Sequence, residues 1–289
     1  MSSGSAGGIF GLEYRTEDRI YRSVLYVSAI IIIGVGVFPL YWIGQLALTE
    51  ERAIMADLSW FPSPETFTFE NFGIVAFGDV GLYFVNSIIV TIGTVIIVVL
   101  VSLLAGYGLA RFRFGYKEHF ARFLLFGYMF SPIVLALPLY LIYDTVGLLN
   151  THIGLMLTLA TISMPFAVWL MWKYIQTIPA AMEESAWVVG ASRWRAFWDV
   201  IIPQCRPAIV AAALFAFAIS WADFTFAQIL LPANEMTTFP PGIMEIVNSS
   251  YNTSWGEVMA ALLLMSLPCI AFAYFLQDYL LEGFEVQGL

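Results

Sequence analysis

The stretch LYFVNSIIVTIGTVIIVVLVSLLAGYGLA at residues 82–110 decides the fold of this chain, because it contains no Asp, Glu, Lys or Arg. A helix needs about 20 mostly apolar residues to cross the ~30 Å hydrocarbon core of a membrane. The stretch is therefore predicted to be a membrane-spanning helix. A β-barrel would instead show short strands in which apolar and polar residues alternate. The predicted fold class is an all-α membrane protein.

The composition of the whole chain supports this class. Hydrophobic residues make up 60% of the sequence, charged residues only 11%, and the mean hydropathy is +0.83. In a soluble domain, roughly a quarter of the residues are charged. Residues 1–23 are predicted to form an N-terminal cytoplasmic segment, and residues 24–289 a transmembrane domain with six spans. The spans are predicted at about 24–48, 82–110, 123–143, 151–172, 207–231 and 258–277.

The basic residues predict the orientation of the chain. Cytoplasmic loops of membrane proteins carry an excess of Lys and Arg, and six spans place both termini on the same side. Of the 12 Lys and Arg residues, only Arg52 falls in a predicted outer loop. We therefore expect a multi-pass protein of the plasma membrane, with both termini and the loop at 178–203 in the cytoplasm and the loop at 232–256 outside.

The acidic residues show the opposite bias, and the chain carries a net charge of −9 with a pI near 4.6. Acid-rich surfaces suit very high salt, where repulsion between like charges is screened. A halophilic source is one interpretation. The other is that acids collect outside because basic residues are held inside. The acids of the predicted outer loops are Glu50, Glu51, Asp57, Glu65, Glu70, Asp79, Asp144, Glu235, Glu245 and Glu257.

The sequence contains no motif for an activity of its own. A P-loop needs Gly-Lys followed by Ser or Thr, and neither Lys117 nor Lys173 has those neighbours. His119 and His152 are predicted on opposite faces of the membrane, so they do not form a metal site. We expect no catalytic residue, no metal and no cofactor bound by this chain. Asp223 is the one acid inside a predicted span, and such acids mark ion or proton pathways, so an ion-coupled secondary carrier is an alternative.

The inner loop at residues 178–203 is unusually polar and aromatic for this chain. Gly190 allows a sharp turn, and Ser192 is predicted to cap a second short helix from Arg193 to Val200. Two interpretations fit the apolar periodicity: a helix lying on the lipid surface, or a docking surface for another protein. The residues of the apolar stripe, spaced by three or four, are Ala186, Trp187, Gly190, Trp194, Phe197, Trp198 and Ile201.

This loop resembles the EAA loop of ABC-transporter permeases, which reads E-A-A-x3-G-x9-I-x-L-P. Glu184-Ser185-Ala186, Gly190 and Val200-Ile201-Ile202-Pro203 stand at the matching positions, with Ser185, Val200 and Ile202 as departures. The resemblance implies a type I ABC importer permease whose coupling helix docks on a separate ATPase subunit, where ATP and Mg bind. We call residues 178–203 the coupling loop. The coupling residues that the resemblance implies are Glu183, Glu184, Ser185, Ala186, Trp187, Gly190, Trp194 and Pro203.

Four further stretches resemble the smaller permease of the maltose-type sugar transporters. They are residues 67–77, 84–114, 220–231 and 280–289, where SWADFTFAQILL at 220–231 departs from the family at Ala222. The resemblance implies import of a sugar or oligosaccharide, a second homologous permease, two ATPase copies and an extracellular solute-binding protein. A permease for a non-sugar solute, such as a polyamine, is the alternative. The candidate residues of the solute path are Asn86, Ser87, Trp221, Asp223 and Gln228.

Overall fold

The computed structural model describes residues 14–56, 60–61, 63–113, 115–127, 131–249 and 254–285. The regular structure of this part is helical, apart from one antiparallel bridge between Thr49 and Phe67. A π-helical turn lies at Phe197–Ile201, and a 3-10 turn lies at Asn234–Met236. The helices are α1 (Tyr14–Ala47), α2 (Glu51–Ala56), α3 (Glu70–Phe77), α4 (Asp79–Arg111), α5 (Lys117–Phe126), α6 (Pro132–Val146), α7 (His152–Thr177), α8 (Ala180–Val188), α9 (Arg193–Ala196), α10 (Ile202–Gln204), α11 (Arg206–Trp221), α12 (Thr225–Leu230), α13 (Phe239–Ser249) and α14 (Trp255–Glu285).

Within the described ranges, four helices are long and apolar enough to cross a membrane. Each of them overlaps one of the predicted spans. A bent pair, α9–α10 followed by α11, adds a fifth candidate if its two arms, which meet at 74°, form one span. The count of six spans stays a prediction. The four long segments are Ile20–Ala47, Asp79–Arg111, His152–Thr177 and Trp255–Phe275.

Two predicted spans are divided in the structure. The prediction at 123–143 falls partly on α5 and partly on α6, and residues 128–130 between them lie outside the described residues. α6 begins at Pro132, a residue that suits the first turn of a helix. The prediction at 207–231 is interrupted between α11 and α12. Asp223 lies at this interruption, where its side chain accepts hydrogen bonds from two backbone N–H groups of α12.

The chain divides into two compact units. The first comprises residues 1–72 and 254–263. Its buried polar contacts satisfy backbone groups that helix ends leave without partners. Asn71 Nδ2 donates to the carbonyl oxygens of Ala47 at 2.9 Å and Thr49 at 3.1 Å, while Glu51 Oε2 accepts from the Gly256 N–H at 2.9 Å.

The second unit comprises residues 73–253 and 264–289 and contains the main core, in which α4, α7 and α11 pack together. Small residues let the three helices approach closely. Ala208, Ala212 and Ala216 recur every four residues on α11 and are all buried. On α4, a Cβ added to Gly106 would lie 2.7 Å from the Cβ of Met171 and 2.9 Å from the Trp172 nitrogen. Gly106 therefore sets the distance between the C-terminal halves of α4 and α7.

We expect Gly106→Ala to lower the stability of the purified protein by about 1–3 kcal/mol, the usual effect of forcing an extra carbon into a packed core. The control is Gly108→Ala on the same helix, because a Cβ there meets only Phe112 Cδ2, at 3.9 Å. Thermal unfolding in detergent measures both variants. Equal melting temperatures for the two variants would contradict this account of the α4–α7 contact.

Candidate functional site

A buried acid attaches the first helix of the coupling loop to the C-terminal end of α4. Glu183, in the first turn of α8, is 1% exposed. Arg111 Nε donates to Glu183 Oε1, and the Tyr107 hydroxyl donates to Glu183 Oε2 at 2.9 Å. Arg111 Nη2 also donates to the carbonyl oxygen of Ile178 at 3.0 Å. One guanidinium therefore holds the residue after α7 and the start of α8 against α4.

Sequence reasoning singled out Glu183 but missed its partners, Arg111 and Tyr107. A buried carboxylate is stable only with a cation and hydrogen-bond donors around it. One signal was available, because Arg111 is the first charged residue after the apolar stretch at 82–110, and Tyr107 precedes it by four residues. Residues four apart share one face of a helix. The sequence does not show which acid meets that face.

The α8 helix ends in a Schellman turn at Gly190. Gly190 has φ +94°, a left-handed conformation that glycine adopts without a steric cost. Its N–H donates to Trp187 O at 2.9 Å, and the Ala191 N–H donates to Ala186 O at 3.0 Å, which is the hydrogen-bond pattern of this motif. Ser192 then caps α9 by accepting from the Arg195 N–H at 3.2 Å. The predicted turn at Gly190 and the predicted cap at Ser192 are both confirmed.

The second arm of the coupling loop differs from the single helix predicted from Arg193 to Val200. The α9 helix ends at Ala196, and the π-helical turn that follows has its closing bond from Ile202 N to Phe197 O. Pro203 has no N–H for the carbonyl of Asp199, so the α-helical pattern cannot continue through it. The ring of Phe197 is buried against Tyr107, with centroids 4.8 Å apart. Tyr107 therefore contacts both arms of the loop.

Apolar side chains remain exposed where α8 ends. Val188 is 87% and Val189 is 89% exposed, and Trp194 at the start of the second arm is 62% exposed. Arg193 lies over the Trp187 ring, 5.4 Å from its centroid. The predicted apolar stripe is thus divided. Phe197 and Ile201 face the core, and Ala186 is half-buried. The other residues of the stripe and the remaining predicted coupling residues are exposed: Trp187, Gly190, Trp194, Trp198, Glu184, Ser185 and Pro203.

Two of the predicted solute-path residues, Asn86 and Ser87, are bonded to the backbone of the loop at 232–256. Asn86 Nδ2 donates to the carbonyl oxygens of Glu235 and Thr237, both at 2.9 Å, and both Asn86 and Ser87 are buried. Ser87 Oγ accepts from the Phe239 N–H at 2.8 Å. These contacts give the two side chains a structural role in holding the loop on the N-terminal half of α4.

Trp221 and Asp223 are also engaged within the fold. Trp221 Nε1 donates to Met265 O at 3.0 Å, and its ring stacks on Phe217 at a centroid distance of 5.7 Å. Asp223 accepts from the Ala227 N–H at 2.9 Å and from the Phe226 N–H at 3.5 Å. The Asp223 carboxylate therefore caps α12, the role in which Asp competes best with a continuing helix.

Gln228 is the candidate of this group that faces open space. It is exposed and lines a cavity of about 370 Å³ together with Thr237, Glu245 and Asn248. Phe224 precedes Gln228 by one helical turn and is 41% exposed, which sequence reasoning missed. The Gln228 amide therefore lines a cavity whose walls are part polar and part apolar, which is suited to a polar solute with some apolar surface. Of the five candidate residues, Gln228 lines the cavity, and the other four are hydrogen-bonded within the fold: Asn86, Ser87, Trp221 and Asp223.

We expect Glu183→Leu or Arg111→Leu alone to destabilise the protein by about 3–5 kcal/mol, because each leaves a charge buried without its partner. The double variant should be destabilised much less than either single variant, since both partners of the buried ion pair are then removed. A control is Asp199→Asn in the exposed Arg195–Asp199 pair, which should cost less than about 1 kcal/mol. Thermal unfolding of the four variants checks the order, and a double variant that is worse than either single one would contradict it.

Comparison with known proteins supports one family. The profile described as "Binding-protein-dependent transport system inner membrane component" matches residues 99–285. The trehalose transport system permease protein SugB of Mycobacterium tuberculosis is 30% identical, over 88% of this chain and 92% of its own length. The diacetylchitobiose uptake system permease protein NgcG of Streptomyces coelicolor is 28% identical, over 88% of this chain and 84% of its own.

A solved structure shares the fold. A bacterial ABC transporter involved in the import of the acidic polysaccharide alginate includes a chain that superposes with a TM-score of 0.80 at 23% identity, covering 91% of this chain and 97% of that one. The structure therefore has the all-α importer-permease fold that the sequence predicts. This chain belongs to the family of binding-protein-dependent transport system inner membrane components, the multi-pass permease subunits that work with the other components of ABC transporters.

Proposed function

We propose that this chain is a permease subunit of an ATP-driven importer of a sugar or oligosaccharide, and that it pairs with a second, homologous permease. The names of the relatives support a carbohydrate, since they refer to trehalose and diacetylchitobiose. Ligand identification on the solute-binding protein of the same transporter tests the substrate. A polyamine or another non-sugar solute in that protein would refute the sugar assignment and leave the permease assignment intact.

The coupling loop is proposed to dock on a separate ATPase, of which two copies would bind ATP and Mg. The observation that carries this proposal is the geometry of α8. Its base is fixed inside the fold by Glu183, whereas its end presents Val188 and Val189 almost fully to the surroundings. Exposed apolar groups on a rigid support are typical of protein interfaces. The large ring of Trp194 beside them is suited to serve as an interface anchor.

The orientation is part of the same proposal. The bias of Lys and Arg supports a cytoplasmic position for both termini and the coupling loop. The loop at 232–256 then lies outside, where a solute-binding protein would dock, and residues 250–253 of it lie outside the described residues. Phe224 and Gln228 are proposed to contact the solute. A high-salt source stays a prediction from the acidic outer loops.

We expect Glu184→Lys and Val189→Asp each to reduce recovery of the ATPase when the tagged permease is purified from co-expressing cells. Both residues are exposed, so the changes alter the docking surface and not the core. Tyr116→Ser is the matched control, because Tyr116 is 80% exposed in the neighbouring inner loop but lies outside the coupling loop. Unchanged recovery of the ATPase with both loop variants would count against the proposed docking surface.

Asp223 distinguishes the proposed importer from an ion-coupled carrier. Asn caps a helix about as well as Asp, whereas Ala costs about 1 kcal/mol at such a position. We therefore expect Asp223→Asn to keep transport near the wild-type rate and Asp223→Ala to lower the stability. An ion- or proton-coupled carrier would lose transport in both variants, because neither side chain can carry the charge. Uptake in reconstituted vesicles separates the two outcomes.

A further inference from the structure

The α4 helix is attached at both of its ends to loops that contact partners in the proposed function. At the inner end, Tyr107 and Arg111 hold the coupling loop. At the outer end, Asn86 and Ser87 hold the loop at 232–256 through three hydrogen bonds of 2.8–2.9 Å. Tyr83 adds a bond from its hydroxyl to Glu245 Oε2 at 3.2 Å.

Close packing reinforces the outer attachment. A Cβ added to Gly242 of α13 would lie 2.1 Å from Cδ2 of the Tyr83 ring, well inside the 3.5–4.0 Å of a normal carbon contact. The helix α13 therefore lies directly on the ring. Movement of α13 relative to α4 would require the Tyr83 ring to move and the hydrogen bonds of Asn86 and Ser87 to break.

Between these two attachments α4 is one uninterrupted helix. It has 33 residues, which corresponds to a length of about 50 Å at 1.5 Å per residue. It contains no proline, whereas α1, α7 and α14 contain Pro39, Pro165 and Pro268. Proline is a principal cause of bends within helices. α4 is thus the long helix best suited to move as one rigid piece.

We propose that α4 acts as a rod that transmits movement between the external loop at 232–256 and the coupling loop, with Asn86 and Ser87 as positioning residues at one end and Tyr107 and Arg111 at the other. This proposal rests on the proposed function, since it takes the two loops to contact the solute-binding protein and the ATPase. It gives Asn86 and Ser87 a role in coupling and not in solute binding.

The neighbouring helix α7 provides a parallel connection. Asn150, at its outer end, accepts through Oδ1 from the Ala233 N–H at 3.1 Å, and His152 Nε2 lies 3.2 Å from Met236 O. The chain then runs from α7 directly into the coupling loop. Movement that passes along α4 therefore depends on both of its attachments in series, whereas movement that passes along α7 depends on neither. This arrangement makes a specific prediction for combined variants.

The test uses the assembled complex of this chain with its second permease and ATPase, reconstituted in nanodiscs, with ATP as the probe. The reporter is Asn248→Cys on the exposed side of α13, in a Cys269→Ser background, and the buried Cys205 is kept. The measured quantity is the rate of maleimide labelling with and without a non-hydrolysable ATP analogue. ATP hydrolysis by the same complex reports ATPase docking, so a failure of the proposed function is seen separately.

Asn86→Leu replaces the donating amide with an apolar side chain of similar size. Arg111→Lys keeps the charge but lacks the planar fork in which Nε bonds Glu183 and Nη2 bonds Ile178. Each should reduce the ATP-induced change in labelling rate about fivefold or more, the lower end of the usual range for coupling between two sites. In the variant that combines Asn86→Leu with Arg111→Lys, the ATP-induced change in labelling rate should fall no further than in the more impaired single variant, because the two attachments act in series. The control is Ser102→Ala, buried on α4 and bonded within it to Val99 O, which should behave as wild type.

Three results would overturn the proposal. The first is a wild-type complex that hydrolyses ATP but shows no ATP-dependent labelling at position 248. The second is a combined variant in which the two losses multiply, since that is the behaviour of independent connections. The third is a Ser102→Ala variant as impaired as Asn86→Leu, which would show that any change in the α4 core has the same effect.

Discussion

The ion pair between Glu183 and Arg111 determines where the coupling loop can lie. A carboxylate that is 1% exposed is stable only where a cation and further donors meet it, and Arg111 and Tyr107 provide them at one place, the C-terminal end of α4. Because Arg111 also binds the Ile178 carbonyl, the residues entering α8 have little freedom. The position of the exposed end of α8 follows from this, since the helix between Glu183 and Val188 is short and regular. A docking surface built in this way is rigid before any partner arrives, which reduces the entropy lost on binding.

The position of Arg111 depends in turn on how α4 packs. Gly106 lets α4 approach the backbone of α7 at Met171 and Trp172, and the alanines of α11 close the third side of the core. Tyr107, next to Gly106, then reaches both Glu183 and the buried ring of Phe197. The small residues in the core of the three helices thus support the polar contacts at the C-terminal end of α4. The same helix carries Asn86 and Ser87 to the loop at 232–256, so both sets of polar contacts depend on α4.

Local features of this chain could be predicted from its sequence, and contacts between distant residues could not. The turn at Gly190 and the cap at Ser192 depend on backbone groups within a few positions, and both were predicted. The partner of Glu183 lies 72 positions away in the sequence, and no spacing rule identifies it. Asp223 illustrates the same limit. Its place inside an apolar stretch suggests an ion site, and no spacing rule shows that its carboxylate accepts from the Ala227 N–H where the stretch is interrupted between α11 and α12. Residues inside a predicted span can thus be polar in order to end or attach helices, and the sequence alone does not separate that role from solute binding.

The central claim is that the exposed end of α8, held by Glu183, is the surface that meets the ATPase. Photo-crosslinking tests it most directly, with a benzoylphenylalanine introduced in place of Val189 and, in a separate protein, in place of Tyr116. Both positions are highly exposed, but only Val189 belongs to the coupling loop. We predict an adduct with the ATPase from position 189 and none from position 116 when the assembled complex is illuminated. A complex that contains the ATPase but gives no adduct from position 189 would contradict the claim.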